Sequence, residues 1–228
     1  MRVPLKRILD LQKLAIPSNR CLTVEHTHLL LDQGRQSLRA YHDKGAPAQE
    51  IVSAHAWMMD QILIAAWSSF VPSADQERSV ALIAVGGYGR GELQPGSDID
   101  LLVLYQRTPG RKQREFTGNL IRFLWDIGLN VAHSVRTLKE CTTQCAQDVT
   151  VMTNLMESRF LSGNHNLLTQ LRSRTDTSRM WTANQFIKAK LDEQTNRHLR
   201  YNDTAYNLEP HLKEGPGGLR DIHTMEWI

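Results

Sequence analysis

The sequence has few cysteines, no long apolar run and little net charge. Three cysteines without a CxxC pair argue against both a disulfide framework and a zinc site. No apolar stretch approaches the roughly 18 residues that a membrane span needs. The N-terminus also lacks the apolar core of a secretion signal. We therefore expect a cytoplasmic protein without membrane contact.

The charge balance also narrows the class of partner. The chain has 27 Lys and Arg against 24 Asp and Glu, a net charge of +3. This excess is too small, and too evenly spread, to indicate a nucleic-acid partner.

The sequence contains enough hydrophobic residues to form a folded core. Hydrophobic residues make up 41% of the 228 positions, so the chain is not disordered as a whole. Its last residues, 225–228, continue an apolar period without a helix stop signal, and we expect a piece of a longer protein. We divide the chain into an N-terminal arm (1–25), N-terminal helices (26–75), a central core (76–145) and a helical segment cut at its end (146–228).

The apolar periodicity predicts an α+β fold with a small sheet flanked by helices. The first twenty residues, with two prolines, predict an extended or loosely ordered arm. Three strands are expected at 79–85, 99–105 and 129–135, with a short strand-and-turn candidate at 159–163. Helices are expected at 26–41, 49–70, 111–127, 148–157 and 184–201, another begins with the capping box at 137–140, and 206–218 is a loop.

Residues 85–100, VGGYGRGELQPGSDID, carry the strongest chemical signal. A strand runs into glycines, which allow a sharp turn and a close approach to a ligand, and the chain then returns to a strand that begins Asp-x-Asp. Asp98 and Asp100 lie two positions apart, so both carboxylates project from one face. Two like charges held so close favour a divalent cation with oxygen ligands, Mg²⁺ or Mn²⁺.

Glycine amides beside a carboxylate-held metal are suited to a nucleoside triphosphate. The amides and Arg90 can receive phosphate oxygens, and the metal offsets charge that develops on leaving pyrophosphate. The spacing is neither a Walker P-loop nor a Rossmann fingerprint. The alternative for Arg90 is a solvated surface position, and for Glu92 a local capping or ion-pair role.

Residues 86–93 and 97–102 resemble the nucleotidyltransferase domain of bacterial PII-protein uridylyltransferase/uridylyl-removing enzymes, which belong to the DNA polymerase beta-like superfamily. Three further stretches resemble the same family in the same order: WDIGL at 125–129, HSVRT at 133–137 and LEPHLKEGPGGLRD at 208–221. The resemblance covers roughly residues 25 to 228.

The resemblance implies a polymerase-beta-like fold and a metal-dependent transfer of UMP from UTP to a tyrosine of the nitrogen-regulatory protein PII, with release of pyrophosphate. Asp98 and Asp100 would be the catalytic, metal-binding residues. The nucleotide-binding residues would be Gly86, Gly87, Arg90, Ser97, Lys213 and Arg220, the last two closing over the nucleotide from the helical segment. Alternatively, the glycines at 215–218 form only a tight loop, with Asp221 near the start of a helix.

Many members of the superfamily place a third carboxylate on the next strand, which has no acid here. His133 or Ser134 stands in that region, and we favour a structural role for His133 over a catalytic one. Asp126, Glu140 and Asp148 are the other candidates.

Three functions remain open from the sequence. The first is the uridylyl transfer described above, without the hydrolase and glutamine-sensing domains that follow in the family, so that we expect no uridylyl-removing activity. The second is a nucleotide-binding or interaction fragment that has lost catalysis. The third is a nucleotidyltransferase with another acceptor, such as another protein, a small molecule or an RNA end.

Overall fold

The computed structural model describes residues 3–10, 22–71, 73, 77–201, 204 and 209–228. In this part of the chain, a four-stranded mixed sheet is flanked by helices, which confirms the predicted α+β class. The strands are β1 (Val80–Ala84), β2 (Ile99–Tyr105), β3 (Val131–Thr137) and β4 (Arg159–Gly163). The helices are α1 (Leu5–Ile8), α2 (Val24–Asp43), α3 (Ala48–Phe70), α4 (Gly86–Gly89), α5 (Arg111–Asp126), α6 (Leu138–Gln147), α7 (Val149–Met156), α8 (His165–Arg174), α9 (Thr177–Met180), α10 (Ala183–Arg200) and α11 (Leu219–Trp227).

The sheet has one more strand than the three expected. Its order is β3-β2-β1-β4, with β2 and β3 parallel and β1 antiparallel to both of its neighbours. The added edge strand β4 is the short candidate at 159–163. Only Leu161 is buried in it, so β4 lacks the continuous apolar run by which a central strand is recognised.

The two central strands are buried on both faces. On one face Val103 and Tyr105 pack with the helical layer of α2, α3 and α5. On the other face Leu102 and Leu104 pack with α6, α7 and α8. Burial on both faces explains why β1 and β2 read as unbroken apolar runs rather than as alternating patterns.

Local sequence signals fix several helix starts. The predicted capping box at the start of α6 is confirmed: Thr137 Oγ1 accepts from Glu140 N at 3.2 Å, and Glu140 Oε2 accepts from Thr137 N at 2.7 Å. Asp148 caps α7 by accepting from Thr150 N at 2.7 Å. Two of the three acids considered as a third carboxylate therefore have structural partners at helix ends.

The structure differs from the sequence predictions at the N-terminus and after β4. Residues 3–10 are not an extended arm, because they include α1 and bury Val3, Ile8 and Leu9 against the helical layer. Residues 1–2 and 11–21 of the predicted arm lie outside the described residues, whereas Leu22 is buried and α2 begins at Val24, inside the predicted arm. The helix α8 was not predicted; it packs Leu167, Leu168 and Leu171 on the sheet.

Cys141 and Cys145 are free and buried in α6. Burial raises the pKa of Cys141 to about 12 and that of Cys145 to about 11, so both are thiols at neutral pH. Cys21 lies outside the described residues. None of the helices in the described part of the chain combines the length and apolar character that crossing a bilayer requires.

The C-terminal helices meet through charged groups rather than an apolar seam. On α10, the buried residues are Phe186, Lys190 and Arg197. Lys190 Nζ lies 2.7 Å from Glu193 Oε2 and 4.4 Å from the ring centre of Trp227 on α11. The side chain of Arg197 is only 2% exposed, so its charge depends on neighbouring acids.

Asp221, in the first turn of α11, is the centre of this charged contact. One carboxylate oxygen accepts from Gln194 Nε2 at 2.8 Å and from Arg197 Nη2 at 2.7 Å, and His198 Nε2 lies 3.1 Å away. The other oxygen accepts from Gly217 N at 2.7 Å. Burial opposes the ionised form, but these hydrogen bonds outweigh burial and hold the pKa of Asp221 well below its usual range. Asp221 therefore ties α11 and the preceding loop to α10.

Replacing Asp221 by Asn should lower the free energy of unfolding by about 2 kcal/mol at neutral pH, because Arg197 then keeps a buried charge with fewer partners. The folded-state pKa of Asp221 is depressed, so its stabilisation is present above the unfolded-state pKa of about 3.9 and is lost as the pH falls further. In urea unfolding, the difference between the parent and Asp221→Asn should therefore be full above about pH 4 and should shrink progressively as the pH falls below that value towards the depressed folded-state pKa.

Asp192→Asn is the matched control, because Asp192 is an exposed acid on α10, the helix that Asp221 contacts. It should shift the unfolding midpoint little at any pH. Equal losses in the two variants at neutral pH would contradict the role assigned to Asp221.

Candidate active site

The glycine turn lies between β1 and β2. Gly86 follows the strand with a φ of +58°, a conformation that residues with a Cβ rarely adopt. A Cβ there would also lie 2.8 Å from Asn154 Oδ1 and 3.3 Å from Asp100 Oδ2. Glycine at 86 therefore allows both the turn and the close approach of α7 and β2.

A buried network fixes the short helix α4. Asp60 on α3 accepts from Tyr88 Oη at 2.6 Å and from both terminal nitrogens of Arg159 on β4, at 2.6 and 3.0 Å. Arg159 also donates to the carbonyls of Gly89 at 3.2 Å and Tyr88 at 3.1 Å. Burial, followed by the charge of Asp60, raises the pKa of Tyr88 well above its ordinary value, so the phenol stays a donor.

Gly89 is required by packing rather than by its backbone angles. A Cβ at this position would overlap the carbonyl oxygen of Glu157 and would lie 3.1 Å from the carbonyl oxygen of Ala84. The backbone after α7 therefore rests directly on the glycine turn.

Arg90 is held by internal partners. Its guanidinium donates to Glu157 Oε1 at 2.6 Å and Glu92 Oε2 at 3.2 Å, and its Nη2 lies 3.2 Å from His223 Nε2. Glu157 Oε1 also accepts from Trp227 Nε1 at 2.8 Å. The solvated reading of Arg90 is wrong, since its side chain is 23% exposed and links α4 to α11. A role along the triphosphate stays a prediction for this residue.

The two aspartates lie together at the start of β2. Asp98 is exposed and Asp100 is half-buried, while Ile99 between them is buried in the helical layer on the opposite face. Burial and then the charge of Asp98 raise the pKa of Asp100. Lys213 and Arg220 act in the other direction, so the structure brings both predicted cations near this carboxylate.

Strand β3 offers no third acid beside this pair. In the parallel register, Ala132 is paired with Asp100 and Ser134 with Leu102, so these two β3 residues share the face of Asp100. His133 is paired with Leu101 and lies on the other face, where its ring centre is 5.7 Å from that of Trp125. This position favours the structural role for His133. Among the described residues, no group of three His, Cys, Asp or Glu side chains could hold a metal ion.

Several residues at the site were not predicted from the sequence. Asn154 on α7 lies beside Gly86 and Asp100, and Asp60, Arg159 and Glu157 support the glycine turn. Each is a single polar residue in an ordinary helix or strand pattern, without a local motif to mark it. Ser97, predicted to bind nucleotide, is exposed in the loop before Asp98 and lines a cavity towards the helical layer.

Replacing Gly89 by Ala should lower the free energy of unfolding by about 1–3 kcal/mol, because the backbone of Glu157 has to move. Thermal or urea unfolding measures the loss. The control is Gly118→Ala on α5, where a new Cβ meets nothing within 4 Å and should stabilise the helix by about 0.5–1 kcal/mol. If the two variants unfold alike, the turn does not depend on this contact.

Two family models match parts of the chain. Residues 68–157 match the family described as "Nucleotidyltransferase domain", and residues 185–228 match the family described as "GlnD PII-uridylyltransferase".

The curated relatives share a single description, bifunctional uridylyltransferase/uridylyl-removing enzyme. One from Azotobacter vinelandii is 50% identical over 194 residues, which cover 85% of this chain and 21% of that protein. One from Stutzerimonas stutzeri is 46% identical over 86% of this chain and 22% of its own length, and one from Nitrosococcus oceani is 44% identical over 87% and 22%. The chain spans about one fifth of the length of these relatives. Residues 68–157 are therefore similar to a nucleotidyltransferase domain, and the chain is similar over most of its length to part of the bifunctional uridylyltransferase/uridylyl-removing enzymes.

Proposed function

We propose that this chain binds UTP with a divalent metal and transfers UMP to a tyrosine of the PII nitrogen-regulatory protein. The observation that carries the proposal is the position of Asp100 beside Gly86 of the glycine turn, with Asp98 two positions before it and with Lys213 and Arg220 close enough to lower the pKa of Asp100. The names of the relatives and of the matched family support the choice of reaction and acceptor.

The donor set fits a divalent metal. Asp98 and Asp100 supply hard carboxylate oxygens on one face. Burial and then the charge of Asp98 raise the pKa of Asp100, so a bound cation would favour its ionised form. Mg²⁺ in proteins is commonly held by one or two carboxylates, with water and substrate phosphates completing its shell. A bound Mg²⁺ or Mn²⁺ would offset the charge on the triphosphate and on the leaving pyrophosphate.

The surrounding residues would position the nucleotide. Gly86 and Gly87 would let the backbone approach the triphosphate closely, and Lys213 and Arg220 would add positive charge from the side of α11. Asn154 places an uncharged amide beside Asp100, where it can hydrogen-bond without adding a third negative charge. In the transfer, the tyrosine oxygen bonds to the α-phosphorus, the bond from that phosphorus to pyrophosphate breaks, and the hydroxyl proton is released.

Substituting Asp98→Asn or Asp100→Asn tests the assignment. Each change should reduce transfer of labelled UMP from UTP to PII by at least about a hundredfold, because either substitution removes a metal-binding charge. Asp192→Asn is the matched control, since Asp192 is an exposed acid on α10 and is not among the candidate site residues. Labelling that is unchanged in both site variants would refute the metal assignment.

A second candidate is a module that binds nucleotide without transferring it. In its favour, the described residues bring only two acids together at the site and contain no group of three possible metal ligands. The same preparations distinguish the two functions. Calorimetric binding of UTP with Mg²⁺, without pyrophosphate release in the presence of PII, would favour the binding module. Pyrophosphate released in proportion to labelled PII would favour the transferase.

A further inference from the structure

The cavity that Ser97 lines lies on the opposite side of the sheet edge from the aspartates. It has a volume of about 490 Å³ and opens between α2, α3, the loop before β2 and the turn before β3. Ligand pockets in proteins typically span about 300–1,000 Å³ and have mainly apolar walls. This cavity is therefore large enough for a small organic molecule.

The walls of the cavity are apolar. Leu38 from α2, Ile51 and Met59 from α3, Leu93 from the loop and Leu129 from the turn all line it. These side chains belong to the buried helical layer, so their positions are fixed by the core. A ligand would bury an apolar body against them.

One face of α2 gives the cavity a positive rim. Arg35, Arg39 and His42 line it together with Leu38, and the spacing of these residues places them on one side of the helix. Arg35 lies 3.8 Å from Asp32, which does not line the cavity. Among the described residues that line the cavity, none is Asp or Glu. The rim therefore favours an anionic group.

His55 adds a polar group to the cavity wall. This side chain is only 8% exposed, and its Nδ1 donates to the carbonyl of Leu93 at 3.0 Å. Burial lowers the pKa of His55 despite that hydrogen bond, and the charge of Arg35 lowers it further. The ring is then neutral with Nε2 as an acceptor, which can receive a hydrogen bond from a ligand.

The cavity and the proposed active site share one piece of backbone. Pro95, Gly96 and Ser97 line the cavity, and Asp98 is the next residue. Ile99 also lines it, whereas its neighbours Asp98 and Asp100 lie on the other face of β2. A ligand that moves Ser97 or Ile99 would therefore change the spacing of the two carboxylates.

We propose that this cavity binds a small organic anion with an apolar body, and that its binding is transmitted through residues 97–99 to Asp98 and Asp100. The anionic group lies at Arg35 and Arg39, and the apolar body lies against Leu38 and Met59. Binding of the anion to the cavity does not depend on the function proposed above. Any effect of that binding on catalysis rests on the proposed transfer of UMP.

Anilinonaphthalene sulfonate and its uncharged analogue phenylnaphthylamine are a matched pair of fluorescent probes for this site. The parent chain should bind both dyes saturably at one site. Arg39→Gln and Arg35→Gln should each weaken binding of the sulfonate dye by at least about fivefold. The affinity for the uncharged dye should stay within about twofold of that of the parent. Arg111→Gln, at the start of α5 and outside the cavity, is the charge-matched control and should change neither.

Leu38→Trp fills the cavity and should exclude both dyes, provided that circular dichroism shows a folded chain. The arginine variants test the site even if Leu38→Trp does not fold. Sulfonate binding that is unchanged in Arg35→Gln and Arg39→Gln, or an absence of dye binding to the parent, would overturn the proposal.

Transmission is measured without nucleotide. In a nuclear magnetic resonance titration with the sulfonate dye, the backbone amide signals of Asp98 and Asp100, which do not line the cavity, should shift with the same saturation as the fluorescence. Shifts confined to α2 and α3 would refute transmission even where binding is confirmed. A failure of UTP binding or of UMP transfer would count against the proposed function and not against this cavity.

Discussion

The carboxylate of Asp60 is the contact on which the glycine turn most depends. It joins α3, which carries it, to α4 through Tyr88 and to β4 through Arg159. A buried carboxylate needs such partners, because an unpaired charge in the interior costs several kcal/mol. The same network leaves the main chain of Gly86 close to Asp100, since the turn cannot rotate without breaking the contacts of Tyr88. Rigid support from outside the site therefore determines the geometry within it.

The sheet separates two kinds of surface. On one face, Asp100 lies close to cations from the C-terminal segment and to the amide of Asn154. On the other face, the helical layer presents an apolar cavity with a basic rim. The period of two along β2 makes the separation sharp, because Ile99 has to point away from both of its acidic neighbours. Ligand binding on either face would nevertheless act on the backbone of residues 97–99.

The sequence predicted those features that depend on neighbours along the chain. The double burial of β1 and β2, the capping box at Thr137 and the common face of Asp98 and Asp100 all follow from local spacing. Features that depend on distant packing were missed. The edge strand β4 has only one buried residue, so its sequence pattern indicates a strand weakly. Asp60 and Arg159 lie 99 positions apart and come into contact only because α3 and β4 pack together.

The C-terminal segment shows how charge, rather than apolar burial, can place a site residue. The seam between α10 and α11 contains Lys190, Arg197 and Asp221, and these groups stay buried because each has an opposite charge or an aromatic ring beside it. Such a seam specifies one register, since a shift of α11 would leave a buried charge unpaired. Arg220 adjoins Asp221, and Lys213 lies in the loop that Asp221 holds through Gly217. The contacts of one carboxylate therefore hold the loop that contains Lys213, and the first turn of α11 that carries Arg220, against α10.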